Sequence, residues 1–255
     1  MVAHRVRALK NAWERLPGSH MLWLALLFFA GLEAIAVAPG WLVPLAVLLM
    51  LVLAGGIALL RFEEKQRWQL LQVALPLFTA IGLTGFSFFL PRGIMAHLYF
   101  VAAAAVFYWL LSNGGKQAYP TWNWVMSTVV LFLNTSVALG LAWHLTFSVL
   151  LIVSWVSLTV LFIAWQALDR VASSTRLALL NSLVLAMLLG QLTWALQFLP
   201  IHWLVQAGVL TTTYYVTFHL LSVSYERTLT RRDFIEYGSI GIMTWVVLLL
   251  TARWR

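Results

Sequence analysis

Five ionisable residues could form a site if the fold brought them to one depth. Glu33 is the single acid in the apolar run FFAGLEAIAVAPG, residues 28–40, and Arg92, His97, His144 and His202 stand near the ends of other apolar runs. Such a set can build a metal site, a proton relay or an acid/base pair. Its members can equally be separate interfacial groups, or Glu33 can form a structural pair with Arg92 or a histidine. No two have ligand spacing on one helix, so helix packing decides.

A second group lies in GVLTTTYYVTFHLLSVSYERTLTRR, residues 208–232. Its polar members recur every three or four residues, which places them on one face of a helix. We call them the polar stripe: Thr211, Tyr215, His219, Ser222 and Glu226. Because a polar face is costly against lipid, the stripe should face the protein interior or a wet cavity. It could line a proton path or the path of a transported molecule, or it could only join helices through hydroxyl hydrogen bonds.

The densest charge cluster follows in residues 224–236. Here we expect a cytoplasmic loop that contacts a partner through Arg227, Arg231, Arg232, Asp233 and Glu236. A loop that serves only topology needs the arginines but not the acids. The mixed signs therefore predict ion pairs that join the flanking helices, or a docking face, with catalysis as a further alternative.

Several chemistries lack their residues. The sequence has no cysteine, which excludes disulfides and thiolate metal sites. It contains no P-loop, no HExxH zinc motif and no GxSxG nucleophile motif. Lys10, Lys65 and Lys116 all lie outside the apolar runs, where a Schiff base with retinal cannot form. We therefore predict no metal, no cofactor and no catalytic residue, and consider an enzyme less favoured than a non-enzymatic protein.

The elements that must position these residues are helices in lipid. The chain is 62% hydrophobic and 9% charged, whereas soluble domains have about a quarter of their residues charged. Each apolar run has close to the ~20 residues that a spanning helix needs. We predict an all-α bundle of nine spans, near residues 21–38, 41–60, 70–90, 94–112, 122–142, 146–167, 177–198, 202–223 and 235–252.

The basic residues predict the orientation of this bundle. If the N-terminal tail and every second connection are cytoplasmic, 13 of the 16 Lys and Arg lie on that side. The other three are Arg92, Arg253 and Arg255. The positive-inside rule then places the N-terminus in the cytoplasm and the C-terminus outside. The net charge of +8 thus reflects topology rather than nucleic-acid binding.

We expect residues 1–255 to form a single integral membrane domain, with residues 1–20 as a cytoplasmic amphipathic segment that places Val6, Leu9 and Trp13 on one face. Pro76 should lie in an early helical turn, where its missing N–H costs little. Gly55, Gly56, Gly82 and Gly85 should mark close helix–helix contacts.

Residues 224–254 contain an E-R-x-L-x-R-R segment, an I-E-Y-G entry into a final span and a closing T-x-R-W. In these features the chain resembles uncharacterised multipass membrane proteins of bacteria with reduced genomes, which are grouped as a domain of unknown function. The resemblance implies a bacterial cytoplasmic-membrane protein and brings no activity, substrate or catalytic residue.

Three functions remain open. The first is a non-enzymatic scaffold or subunit of a membrane complex, whose partners are the lipid bilayer and other membrane proteins. The second is a carrier of a small apolar or lipid-like molecule along the polar stripe. The third is an intramembrane lipid-modifying enzyme with an outward-facing site, which requires Glu33, Arg92 and His97 within about 4–6 Å of one another.

Overall fold

The computed structural model describes residues 19–37, 42–62, 69–91, 93–113, 120–145 and 147–252. This part of the chain is all-helical, and its nine helices are α1 (Ser19–Val37), α2 (Leu42–Phe62), α3 (Gln69–Ser87), α4 (Ile94–Asn113), α5 (Pro120–Leu145), α6 (Val149–Leu168), α7 (Thr175–Leu196), α8 (Trp203–Glu226) and α9 (Arg231–Thr251). Each overlaps one predicted span. The predicted amphipathic segment lies almost wholly outside the described residues, as do Arg92, Arg253 and Arg255.

Six of these helices, α1, α4, α5, α6, α7 and α9, are long and apolar enough to cross a membrane. Helices α2 and α3 contain shorter apolar stretches, Pro44–Ile57 and Val73–Ser87. So many long apolar helices are typical of an integral membrane protein, because a helix satisfies its backbone hydrogen bonds internally and can enter hydrocarbon.

The described residues group into two compact units. One unit takes in residues 1–69 and 90–116, and the other residues 70–89 and 117–255. The first unit contains α1, α2 and α4. Its interior includes the rings of Phe28 and Phe107, whose centroids are 4.9 Å apart. Gly56 gives α2 its close approach to Leu24 of α1, whereas the neighbouring Gly55 has open space around it.

The second unit contains nearly all of α3 together with α5 to α9. Pro76 lies in the interior of α3, so the expectation of an early turn was wrong. A proline there leaves part of the backbone without its usual hydrogen bonding, and neighbouring helices contact that region with amide side chains. The Leu75 N–H donates to Gln166 Oε1 of α6 at 2.9 Å, and Asn134 Nδ2 of α5 donates to the Phe78 carbonyl at 2.8 Å.

Two glycines on α3 allow α5 to approach. A Cβ on Gly82 would lie 2.9 Å from Leu133 Cβ and 2.8 Å from Asn134 Nδ2. A Cβ on Gly85 would lie 2.5 Å from Val137 Cγ1. Both distances are too short for a real contact, so the interface depends on the missing side chains. Gly56, Gly82 and Gly85 thus mark close helix contacts, and Gly55 does not.

Candidate functional site

Glu33 and His97 face each other within the first unit. The Glu33 carboxylate lies against Nδ1 of His97, with distances of 2.9 Å to Oε1 and 3.0 Å to Oε2. The imidazole side chain is 55% exposed and the carboxylate 28%. A carboxylate on Nδ1 fixes the orientation of the ring and leaves Nε2 to face outward. This geometry can hold a proton or orient a base, but its exposure is also that of an ordinary surface ion pair.

The other members of the predicted outer set are placed differently. Arg92 lies outside the described residues, and His144 and His202 belong to the second unit. There the His144 ring is 5.8 Å from the Phe89 ring. His202 is the N-cap of α8, where its Nδ1 accepts a hydrogen bond from the Leu204 N–H at 3.3 Å. His202 therefore has a structural role that its position before an apolar run already suggested.

No group of three or more His, Asp or Glu side chains in the described part of the chain could hold a metal ion. The Glu33–His97 contact is therefore a pair within the described residues.

The polar stripe changes environment along α8. The hydroxyl oxygens of Thr211 and Ser222 are buried without a hydrogen-bond partner among the described residues. Glu226, at the end of the helix, is exposed. The stripe thus has interior positions and an exposed acid at one end.

His219 of this stripe lies among aromatic rings. Its ring centroid is 4.4 Å from that of Tyr215, 5.3 Å from that of Trp124 and 5.4 Å from that of Tyr237 on α9. The Tyr237 ring is parallel to the imidazole within 5°, and the other two rings meet it edge-on. Offset and edge-to-face arrangements of this kind stabilise packing. His219 consequently joins α5, α8 and α9.

The predicted cytoplasmic loop is shorter than expected, because α9 already begins at Arg231. Asp233 lies in the first turn of α9, where its carboxylate accepts hydrogen bonds from the Thr230 N–H at 2.8 Å and the Thr230 hydroxyl at 2.7 Å. It is also bound by Arg227 through two parallel N–H···O contacts, one of them 2.9 Å long. These bonds start the helix within the charged segment, as a carboxylate at this position does in a capping box.

The predicted ion pair between the ends of α8 and α9 is therefore present. The hydrogen bond to Asp233, reinforced by its negative charge, raises the pKa of the Arg227 guanidinium above its usual value. The side chains of Arg231, Arg232 and Glu236 remain exposed on the first turns of α9. We refer to residues 226–236 as the α8–α9 corner.

A groove with a volume of about 270 Å³ runs between α7 and α8. Its lining is formed by Val184, Leu185 and Leu188 of α7, by Thr217, Leu220, Leu221 and Ser224 of α8, and by Leu229 of the α8–α9 corner. The sequence analysis did not identify it. A weak signal was present, since residues 217, 220, 221 and 224 have the spacing of one helical face, but the opposite wall comes from another helix.

Residues 22–251 match a family described as a protein of unknown function, DUF5656. The chain belongs to the DUF5656 family. The match extends from α1 into the last turn of α9. The resemblance to an uncharacterised family, seen at the C-terminal end, therefore holds for nearly the whole DUF5656 chain. No curated protein and no solved structure matches it.

Proposed function

We propose that this DUF5656 protein is a non-enzymatic carrier that holds a lipid-like molecule in the α7–α8 groove. The groove itself is the observation that supports the proposal. Six of its eight lining residues are Leu or Val, and the remaining two are Thr217 and Ser224. Its volume is close to the lower limit of ligand pockets, about 300 Å³. An apolar wall with two hydroxyl groups favours a hydrocarbon chain over a polar solute.

The polar stripe receives a different role from the one expected for a carrier. Thr217 and Ser224 line the groove, and neither belongs to the stripe. His219 is packed among aromatic rings, so it contributes to the joining of helices. The proposed path of the lipid-like molecule thus follows the outside of α8 next to α7.

One pair of matched variants tests the carrier. Leu188→Trp should fill the groove, whereas Leu180→Trp places the same ring elsewhere on α7. The two leucines are similarly exposed, at 43% and 51%. Native mass spectrometry of protein released from lipid nanodiscs should show fewer retained lipids for Leu188→Trp alone. Equal lipid retention by both variants and the wild type would contradict the proposal.

We also propose that all nine helices cross a bacterial cytoplasmic membrane, with the N-terminus in the cytoplasm. Support comes from the 13 of 16 basic residues that this arrangement puts on one side. The sequence has no cysteine, so each introduced cysteine is a unique label. Cysteine at Thr228 should resist a membrane-impermeant maleimide in intact cells, and cysteine at Pro91 should react. The reverse pattern would overturn the orientation.

A second candidate is a scaffold or subunit of a membrane complex. The α8–α9 corner favours it, because the bonds to Asp233 fix the segment that presents Arg231, Arg232 and Glu236. The occupant would be an acidic segment of a cytoplasmic partner. Native electrophoresis of mildly solubilised membranes should then show a complex that Arg231→Gln with Arg232→Gln dissociates. An unchanged mobility would remove this candidate.

A third candidate is a lipid-modifying enzyme that uses Glu33 and His97. The contact between the two side chains favours it. It requires Glu33→Gln to stop turnover of a lipid in proteoliposomes while the protein stays folded. Full turnover in that variant would exclude a catalytic role for the carboxylate.

A further inference from the structure

Resting on the proposed carrier function, we infer that the groove binds a phospholipid whose headgroup carries both a phosphate and a primary ammonium group. The inference concerns the polar end of the groove, which is bounded by Ser224 of α8 and Leu229 of the α8–α9 corner. We call this end the groove mouth.

Opposite charges stand on the two sides of the groove mouth. Glu226 follows Ser224 by two residues, and Arg231 follows Leu229 by two residues. Consecutive Cα atoms are about 3.8 Å apart, so each charged residue begins within about 8 Å of a residue that lines the groove. Glu226, Arg231 and the adjacent Arg232 are all exposed. An acid therefore borders one side of the mouth and two arginines border the other.

The surrounding contacts hold the mouth in place and limit which charges are available. Arg227 and Asp233 neutralise each other in a two-point ion pair, and Thr230 donates to the same carboxylate. Across the groove, Asn181 of α7 donates to the Tyr225 hydroxyl of α8. Beyond the pair, the exposed charges of the corner are Glu226, Arg231, Arg232 and Glu236.

This arrangement matches a zwitterionic headgroup. Guanidinium groups bind phosphate with paired N–H donors, and a carboxylate accepts hydrogen bonds from a primary ammonium. The helix dipoles have the same sense, since α8 ends beside Glu226 and α9 begins at Arg231. A quaternary ammonium has no N–H to donate. A headgroup with phosphate alone would leave Glu226 as an unfavourable neighbour.

The test compares three phospholipids with identical acyl chains and ethanolamine, choline or glycerol headgroups. The full-length protein is released from nanodiscs of equimolar composition, and native mass spectrometry counts the retained lipids. We expect the ethanolamine lipid to exceed each of the others by about two- to fivefold, which is the range that an exposed ion pair provides. Glu226→Gln should abolish the preference over choline. Glu236→Gln, a matched acid further along α9, should keep it.

The outcomes separate the inference from the proposed function. If the wild type retains the three lipids equally, or if Glu226→Gln keeps the preference, the headgroup assignment is overturned while the carrier stands. If Leu188→Trp retains as much lipid as the wild type, the carrier itself fails. If the wild type retains no lipid and a second polypeptide occupies the groove in cross-linking from Leu188, the occupant is a protein and both are overturned. Loss of all three lipids in Arg231→Gln with Arg232→Gln supports phosphate binding at the mouth.

Discussion

The carboxylate of Glu33 on α1 contacts Nδ1 of His97 on α4 at 2.9 Å and 3.0 Å. The pair joins two helices whose remaining contacts are apolar, such as that between Phe28 and Phe107. An isolated acid in an apolar run thus has a partner from a neighbouring helix. Because more than half of the imidazole surface is exposed, at 55%, water competes for this contact.

We expect the Glu33–His97 contact to contribute less than about 1 kcal/mol to stability, as exposed ion pairs do. Glu33→Gln, His97→Gln and the double variant form a thermodynamic cycle, and unfolding in mixed micelles measures the coupling free energy. A coupling of several kcal/mol would show that the pair is shielded from water, for instance by headgroups.

Removing the carboxylate that starts α9 should loosen the α8–α9 corner. Asp233 accepts bonds from Arg227 and Thr230, so Asp233→Asn should lower the melting temperature more than Thr230→Ala. The latter loses one capping interaction, which costs about 1 kcal/mol and lowers the melting temperature by about 2–4 °C. Arg232→Gln, which breaks no bond of the corner, is the control. Equal melting temperatures for Asp233→Asn and Arg232→Gln would show that the bonds add nothing.

Alanine at two glycines should have opposite effects. Gly82→Ala places a Cβ 2.9 Å from Leu133 Cβ, and overpacking of this kind costs about 1–3 kcal/mol. Gly55→Ala meets nothing within 4 Å, so it should be neutral or stabilising by up to about 1 kcal/mol through helix propensity. Thermal unfolding of both variants measures the difference. A destabilised Gly55→Ala would mean that another helix, from this or a second chain, packs on that position.

His219 should tolerate an aromatic replacement but not truncation. His219→Phe keeps a ring beside Tyr215 and Tyr237, whereas His219→Ala loses ring contacts that are each worth about 0.5–1.5 kcal/mol. We expect near-normal stability and lipid retention for His219→Phe and a measurable loss of stability for His219→Ala. If His219→Phe abolished transport in proteoliposomes without unfolding, the imidazole would be acting through its protons.

The positions of the helices could be predicted because nine apolar runs of suitable length separate the charged residues. The largest difference is the start of α9, expected at residue 235 and found at Arg231. Hydropathy places charged residues outside a span, but the bonds between Asp233 and Thr230 extend the helix through them. Pro76 shows the same limitation: its tolerance depends on Gln166 and Asn134, which lie far away in sequence.

The candidate sites were predictable to the extent that they follow one helix. Periodicity correctly grouped Tyr215 with His219, whose rings are in contact. It could not supply Tyr237 or Trp124, since these rings come from α9 and α5. The groove was missed for the same reason. A concave surface is a property of two helices and their connection, and no single segment contains it.

The contacts of α3 also bear on the order in which the protein is assembled during synthesis. The Leu75 N–H binds Gln166, a residue 91 positions further along the chain. At about 5–20 residues per second, the ribosome makes Gln166 roughly 5–20 s after Leu75. During that interval the region around Pro76 has to take its hydrogen bonds from water, lipid headgroups or the insertion machinery. The arrival of α6 therefore decides when α3 can be released into the bilayer.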